Sequence, residues 1–243
     1  KISNWLNEYL ENNKLNTFVV GVSGGIDSAV TSALCAQTGK KTIVITMPIH
    51  QNQEETIRGK KHIEWLKNNY EDVDGINIDL TNSYEQLKND IPKKFHSDIS
   101  LANTRARIRM STLYLVSSTS NGIVVGTGNK VEDFGIGFFT KYGDGGVDIS
   151  PIADLMKSEV YQLGKDIGII DKILKAQPTD GLWDDKRTDE DQLGASYDQL
   201  EWAMECNIPI DLLNDDESHI MKIYNKHRKS NIHKMNKIPV FKK

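Results

Sequence analysis

The chain has 243 residues, 30 basic and 34 acidic side chains, a formal net charge of −4 and 38% hydrophobic content. That length can bury a sizeable core, and the composition suits a globular protein rather than a disordered or fibrous one. No apolar run approaches the roughly 20 residues that span a bilayer, and the lysine pairs at Lys60, Lys93 and Lys242 make no long basic stripe, so a membrane and a nucleic acid are excluded as expected partners in favour of small molecules.

Ile2, Trp5, Leu6, Tyr9 and Leu10 recur at helical spacing over residues 1–13. This reads as an amphipathic helix and not as a secretory signal, so a cytoplasmic location is expected. A first strand over about 17–22 runs through Ser23-Gly24-Gly25 into a helix that Gly39 stops near Thr38. Cys35 lies on that helix as a core residue; with Cys206 as its sole and distant companion, a disulfide framework and a cysteine-rich zinc site are excluded. A second strand spans Lys41 to Met47, closed by Pro48, and a polar helix spans Gln53 to Asn69. Ile76, Ile78 and Leu80 alternate in a third strand from Asp74 to Leu80. A long helix over 99–119 leads to a fourth strand, Gly122 to Thr127, and beyond about residue 150 the pattern is helical. Strands alternating with helices predict an α/β fold: a parallel, doubly wound, Rossmann-like sheet with helices on both faces and a C-terminal helical extension. No linker or repeat divides the chain, so a single domain over 1–243 is expected.

The most informative segment is Gly21-Val22-Ser23-Gly24-Gly25-Ile26-Asp27-Ser28, a strand end, a tight turn and a helix start. Unpaired N–H groups and the positive dipole end at a helix start favour an anion. The two glycines let the backbone curl and approach it closely. No lysine follows in the GK[ST] manner, so the loop is not a Walker A motif. An acid at the helix mouth, Asp27, makes most sense with a cation between it and bound phosphates. A Gly-Gly turn alone can serve merely to reverse a chain. The complete Ser23–Ser28 hexapeptide, however, resembles the pyrophosphate loop of the N-type ATP pyrophosphatases, which cut ATP into AMP and pyrophosphate.

Three later segments narrow the resemblance. They are Asn103-Thr104-Arg105-Ala106-Arg107-Ile108-Arg109-Met110, then Gly126 to Asp133 running on to Phe139-Thr140-Lys141-Tyr142-Gly143-Asp144-Gly145-Gly146-Val147-Asp148, and Pro178 to Leu182 followed by Asp189-Glu190 and Leu193-Gly194. With the loop, and in this order, they resemble the ammonia-dependent NAD synthetases over essentially the whole chain. The resemblance implies that the carboxylate of deamido-NAD attacks the α-phosphate of ATP, and that ammonia then displaces AMP from the acyl-adenylate. It implies Mg²⁺ held by Asp27 and Glu132, ATP contacts from the Gly21–Ser28 loop with Thr127, Lys157 and Thr179, and deamido-NAD contacts from Arg107, Lys141, Asp148, His233 and Lys234. It also implies a homodimer with the dinucleotide at the interface, for which the apolar faces of the first and the 99–119 helices offer material. Asp144, in a glycine-rich loop expected to close over the adenylate, is the candidate for holding ammonium and easing its deprotonation.

Helix geometry bears on the arginines. Arg105 and Arg109 share a face, whereas Arg107 projects about 200° away from Arg105. One pocket cannot take all three, and the other two are expected to pair with acids or line a subunit contact. Gly128-Asn129-Lys130 departs from the Asp-His that follows the threonine in many relatives. No glutaminase domain is expected beside this one, and free ammonia is the expected nitrogen source. Rival readings are a GMP synthetase-like or tRNA-modifying pyrophosphatase and an ATP sensor without turnover.

Overall fold

The computed structural model describes residues 1–179, 181 and 188–243. Four parallel strands, β1 (Thr17–Gly21), β2 (Lys41–Thr46), β3 (Val73–Asn77) and β4 (Gly122–Val124), form one sheet in the order β3-β2-β1-β4. The chain winds outward from β1 through β2 to β3, then returns across the sheet to place β4 on the other side of β1. The order therefore reverses between β1 and β4, and a crevice opens there beyond the carboxyl ends of the strands.

Alternation of side chains along the strands explains the two covered faces. Phe18, Val20 and Val44 point to one face, where α1 (Ile2–Asn12), α2 (Ile26–Ala36) and α3 (Gln53–Asn69) supply Leu6, Leu10, Val30 and Leu66. Val19, Ile43 and Ile45 point to the other, against Tyr84 of α4 (Thr81–Asp90) and Ile108 and Leu113 of α5 (Asp98–Thr119). Each fully buried Leu or Val of this kind contributes on the order of 1.5–3 kcal/mol. α6 (Lys157–Asp166) and α7 (Asp171–Leu174) close the first face. Then α8 (Asp189–Leu193), α9 (Tyr197–Glu205) and α10 (Asp215–Met235) enclose a third apolar cluster around Val131, Leu200 and Tyr224. This is the expected doubly wound α/β sheet with a C-terminal helical extension. Among the described residues no helix is long and apolar enough to cross a membrane.

The first two strands end one residue earlier than expected, and the other two move further. The third strand lies at Val73–Asn77 instead of 74–80, because as a sheet edge it pairs only with β2 and leaves Ile76 40% exposed. The fourth ends at Val124 instead of Thr127. Val125 instead bridges Ile149, whose carbonyl accepts from Gly126 N at 2.7 Å, so a returning segment takes over the pairing. Helix α4 carried no sequence signal: in Thr-Asn-Ser-Tyr-Glu-Gln-Leu-Lys-Asn-Asp only Tyr84 is buried.

Candidate active site

A cleft of about 240 Å³ opens at the reversal point between β1 and β4. About 10–15 Å³ suffices for one water, so the space admits a small organic molecule and not merely a few ordered waters. The Ser23–Ser28 turn forms one wall and Gly126, Thr127 and Gly128 the wall opposite. No side chain caps the start of α2, which leaves its first-turn amides to whatever fills the cleft. Ser28 Oγ accepts from Ser23 N at 3.2 Å and donates to Gly25 O at 3.0 Å, fixing the turn. The two glycines have different duties. Gly24 has φ +91° and an added Cβ would stand 2.6 Å from Glu55 O, so it serves the packing of the turn on α3. Gly25, with an ordinary φ of −93°, is the one that borders the cleft.

Asp27 and Glu132 meet on one ammonium. Lys157 Nζ stands 2.6 Å from Asp27 Oδ2 and 3.0 Å from Glu132 Oε1, with the lysine side chain only 4% exposed. Burial works against the lysine charge, but the paired carboxylates outweigh it and push its pKa up, so Lys157 stays protonated. Glu132 sits in a π-helical turn, Val131–Ile136, a geometry frequent at functional sites. Asn129, fully buried, ties the two walls together. Its Nδ2 donates to Asp27 Oδ1 at 3.2 Å, and its Oδ1 accepts from the N–H groups of Val131 and Glu132, each at 3.1 Å. In the sequence Asn129 stands out only as part of the Gly128-Asn129-Lys130 departure. Its signal was an amide side chain just before an acidic helix start.

Asp133 and Asp144 also border the cleft. Burial, together with the charges of Glu132, Asp144 and Asp27, pushes the Asp133 carboxyl up to about 8. It is therefore largely neutral at pH 7, which lowers repulsion toward a polyphosphate. A Cβ on Gly128 would lie 2.2 Å from Asp133 Oδ1, so the Gly128 departure makes room for this acid. Asp144 Oδ1 accepts from Thr140 N at 2.9 Å.

The segment from 134 to 141 is clamped by α10. Arg228 Nη1 donates to Phe134 O and Gly135 O, Asn231 Nδ2 to Ile136 O at 3.0 Å, and Lys234 Nζ to Phe139 O at 2.6 Å. Lys141 Nζ returns a bond to His233 O at 3.1 Å.

The sequence-derived candidates separate into two groups. Thr127, Lys157 and Thr179 border the cleft with the loop. Arg107, Lys141, Asp148, His233 and Lys234 lie outside its lining. Asp148 is held by structural bonds, Oδ2 accepting from Val124 N at 2.8 Å and Oδ1 from Tyr114 OH at 2.9 Å. Arg107 is exposed, its Nη2 donating to Lys141 O at 3.3 Å. Arg109, expected at an acid or a subunit contact, borders the cleft, donating from Nε to Met47 O at 3.0 Å and from Nη2 to Gln51 Oε1 at 3.3 Å. One turn earlier Arg105 is buried, its guanidinium 5.1 Å from the Tyr84 ring centroid. Asp180 and Leu182 of the third motif lie outside the described residues.

The chain matches the family model for NAD synthase over residues 1–243. It is 40% identical over 211 residues to the NH(3)-dependent NAD(+) synthetase of Alkaliphilus metalliredigens, with 83% of each chain covered. Its fold superposes on the structure of NMN synthetase from Francisella tularensis with a TM-score of 0.87 and 31% identity, over 98% of this chain and 94% of that one. The NH3-dependent NAD synthetase of Campylobacter jejuni shares the fold at a TM-score of 0.79 and 24% identity, over 99% and 96% of the two chains.

Proposed function

The chain belongs to the NAD synthase family, and from that premise we propose that it is a ligase that amidates deamido-NAD with ammonia at the expense of ATP. The observation that carries the reading is the meeting of Asp27 and Glu132 on Lys157 beside the Ser23–Ser28 turn. The amides of that turn, Lys157 and the hydroxyls of Thr127 and Thr179 hold the polyphosphate. The nicotinate carboxylate attacks the α-phosphorus and the bond to the pyrophosphate oxygen breaks, giving an acyl-adenylate. Ammonia then attacks the acyl carbon, AMP leaves, and the surplus ammonium proton passes to a base. Asp144 holds the ammonium and takes that proton. Alignment and exclusion of water carry most of the rate.

The residues fit a divalent cation, proposed as Mg²⁺. Asp27 and Glu132 bring hard carboxylate oxygens to the rim of one cleft, both within reach of the same ammonium, and among the described residues no three His, Cys, Asp or Glu side chains form a metal site by themselves. Mg²⁺ accepts such a set, taking one or two carboxylates and completing its shell with phosphates. Bound there, the ion would neutralise charge on the departing pyrophosphate.

Arg107, Lys141, Asp148, His233 and Lys234 are assigned to the second substrate. Because they lie outside the cleft lining, a homodimer in which a second copy completes their site is part of the proposal. A cytoplasmic location belongs to it as well.

A second reading takes the acid mononucleotide as acceptor. Its support is the 31% identity to the Francisella tularensis NMN synthetase over nearly the whole of both chains, since an amidation that yields NMN starts from that acid. Pyrophosphate release from ATP, measured with deamido-NAD, with nicotinate mononucleotide and with neither, tests both readings. Release that requires deamido-NAD is the expected result. Preference for the mononucleotide transfers the assignment to the second reading, and release with neither acceptor present or with neither effective overturns both.

A further inference from the structure

We infer that Tyr197 is a positioning residue that holds the Glu132 carboxylate in the orientation needed to bind a cation. The inference rests on the proposed role of Asp27 and Glu132 and adds a residue from a different part of the fold. Tyr197 is not part of the cleft lining. It opens α9, and its backbone is fixed from both sides. Ser196 and Gln199 form a reciprocal capping box at the helix start, and Tyr197 N donates to Glu190 Oε1 at 3.0 Å. The residue is 6% exposed and packed in the third apolar cluster with Val131 and Leu200. The phenol therefore has one direction in which to point.

That direction is toward Glu132. The hydroxyl stands 2.5 Å from Glu132 Oε1 and 3.1 Å from Asp189 Oδ2. A phenol carries one proton, and the nearer oxygen, at the distance of a charge-assisted bond, receives it. Lys157 Nζ shares the same Oε1 at 3.0 Å and lies 4.6 Å from the centroid of the Tyr197 ring. Oε1 thus carries two donors from two different helices, α9 and α6. Turning the carboxylate would break both bonds at once. Oε2 accepts no hydrogen bond from the described residues, so it is the oxygen left to a ligand in the cleft that Glu132 borders. Without the phenol, Lys157 alone restrains the carboxylate, and the lysine is itself shared with Asp27.

The test measures metal binding directly. Free Mn²⁺ is followed by electron paramagnetic resonance as the full chain is titrated in the presence of a non-hydrolysable ATP analogue. Tyr197→Phe keeps the ring and its packing and removes only the hydroxyl. On the scale of one charged hydrogen bond, its Mn²⁺ dissociation constant is expected to rise about tenfold. Glu132→Gln is weaker still, and Tyr197→Phe added to it brings no further loss, because Tyr197 acts through Glu132. A merely structural tyrosine would weaken the double variant in full proportion. Should Tyr197→Phe fail to fold, Glu132→Asp withdraws the carboxylate from the phenol by one methylene, keeps the charge, and is expected to lose affinity to a similar extent. Wild-type affinity in Tyr197→Phe, losses that add in the double variant, or wild-type affinity in Glu132→Asp would overturn the inference. If the wild-type chain itself bound no Mn²⁺ with the nucleotide, the metal assignment beneath it would fall, and this inference with it.

Discussion

Replacing Lys157 with methionine should destabilise the fold by an amount that depends on pH in a stated direction. Its side chain is 4% exposed, and those of Asp27 and Glu132 are 17% and 15% exposed. Removing the ammonium leaves two carboxylates facing each other with little water. Breaking a buried pair on one side costs about 3–5 kcal/mol. The variant can limit that cost by protonating Asp27, whose carboxyl burial pushes up and whose lowering by Lys157 is lost; that uptake costs about 4 kcal/mol at pH 7 from an ordinary aspartate and about 1.5 kcal/mol at pH 5. The loss relative to wild type should therefore be about 4 kcal/mol at pH 7 and shrink to about 1.5 kcal/mol at pH 5. The sign follows from linkage: a carboxyl whose folded pKa is raised favours the fold at low pH and loses that contribution as pH rises. Urea unfolding of both proteins at pH 5, 6 and 7, compared at equal slope, measures it. An equal loss at all three pH values, or no loss at pH 7, would refute the reasoning.

Three further outcomes are expected. His62 is fully buried, its Nε2 2.9 Å from Ser32 Oγ, and burial lowers its pKa to about 4. Its depressed pKa means that stability is complete above pH 6.5 and is lost as pH falls toward 4. Wild type should lose about 3 kcal/mol more than His62→Gln between pH 7 and 4, and parallel unfolding curves would dismiss the idea. Gly24→Ala forces a side chain onto φ +91° and to within 2.6 Å of Glu55 O, so it should cost about 1–3 kcal/mol. Gly25→Ala meets only Ser23 Oγ at 3.4 Å and should change thermal stability little; equal losses in the two variants would count against the division of labour. Asp144→Asn should slow amide formation more than ATP–pyrophosphate exchange, and equal slowing of the two half-reactions would remove Asp144 from the ammonia step.

What the sequence made legible was local. The helix Gln53–Asn69 falls at its expected boundaries, and the turn after β1 stands where a complete six-residue pattern placed it. Residues whose surroundings come from distant segments were harder to read. Lys157 is singled out only through the family resemblance, as an ATP contact, and its pairing with Asp27, 130 positions away, is announced by nothing local; the packing of α6 on α2 brings the two together. Asn129 and Tyr197 are polar residues of common type, and their roles depend on partners that no periodicity announces. The arginines show both outcomes. Helical spacing correctly separates Arg107 from the face of its neighbours, but it does not reveal that Arg109 reaches the cleft while Arg105 stacks on Tyr84. Strand ends failed for a related reason, since Val125 pairs with Ile149, which lies beyond the glycine-rich loop.

Asp27 follows Ile26 of the main sheet core, whereas Glu132 follows Val131 of the smaller cluster built by the last helices. Lys157 stands where the two bodies meet, between Met156 of one and Val160 of the other. A polyphosphate and cation gripping both acids would therefore act as a rivet between separately packed halves. Ligand affinity would then feed into the cohesion of the whole molecule, and amide exchange in α9 and α10, neither of which lines the cleft, would slow when the cleft is filled.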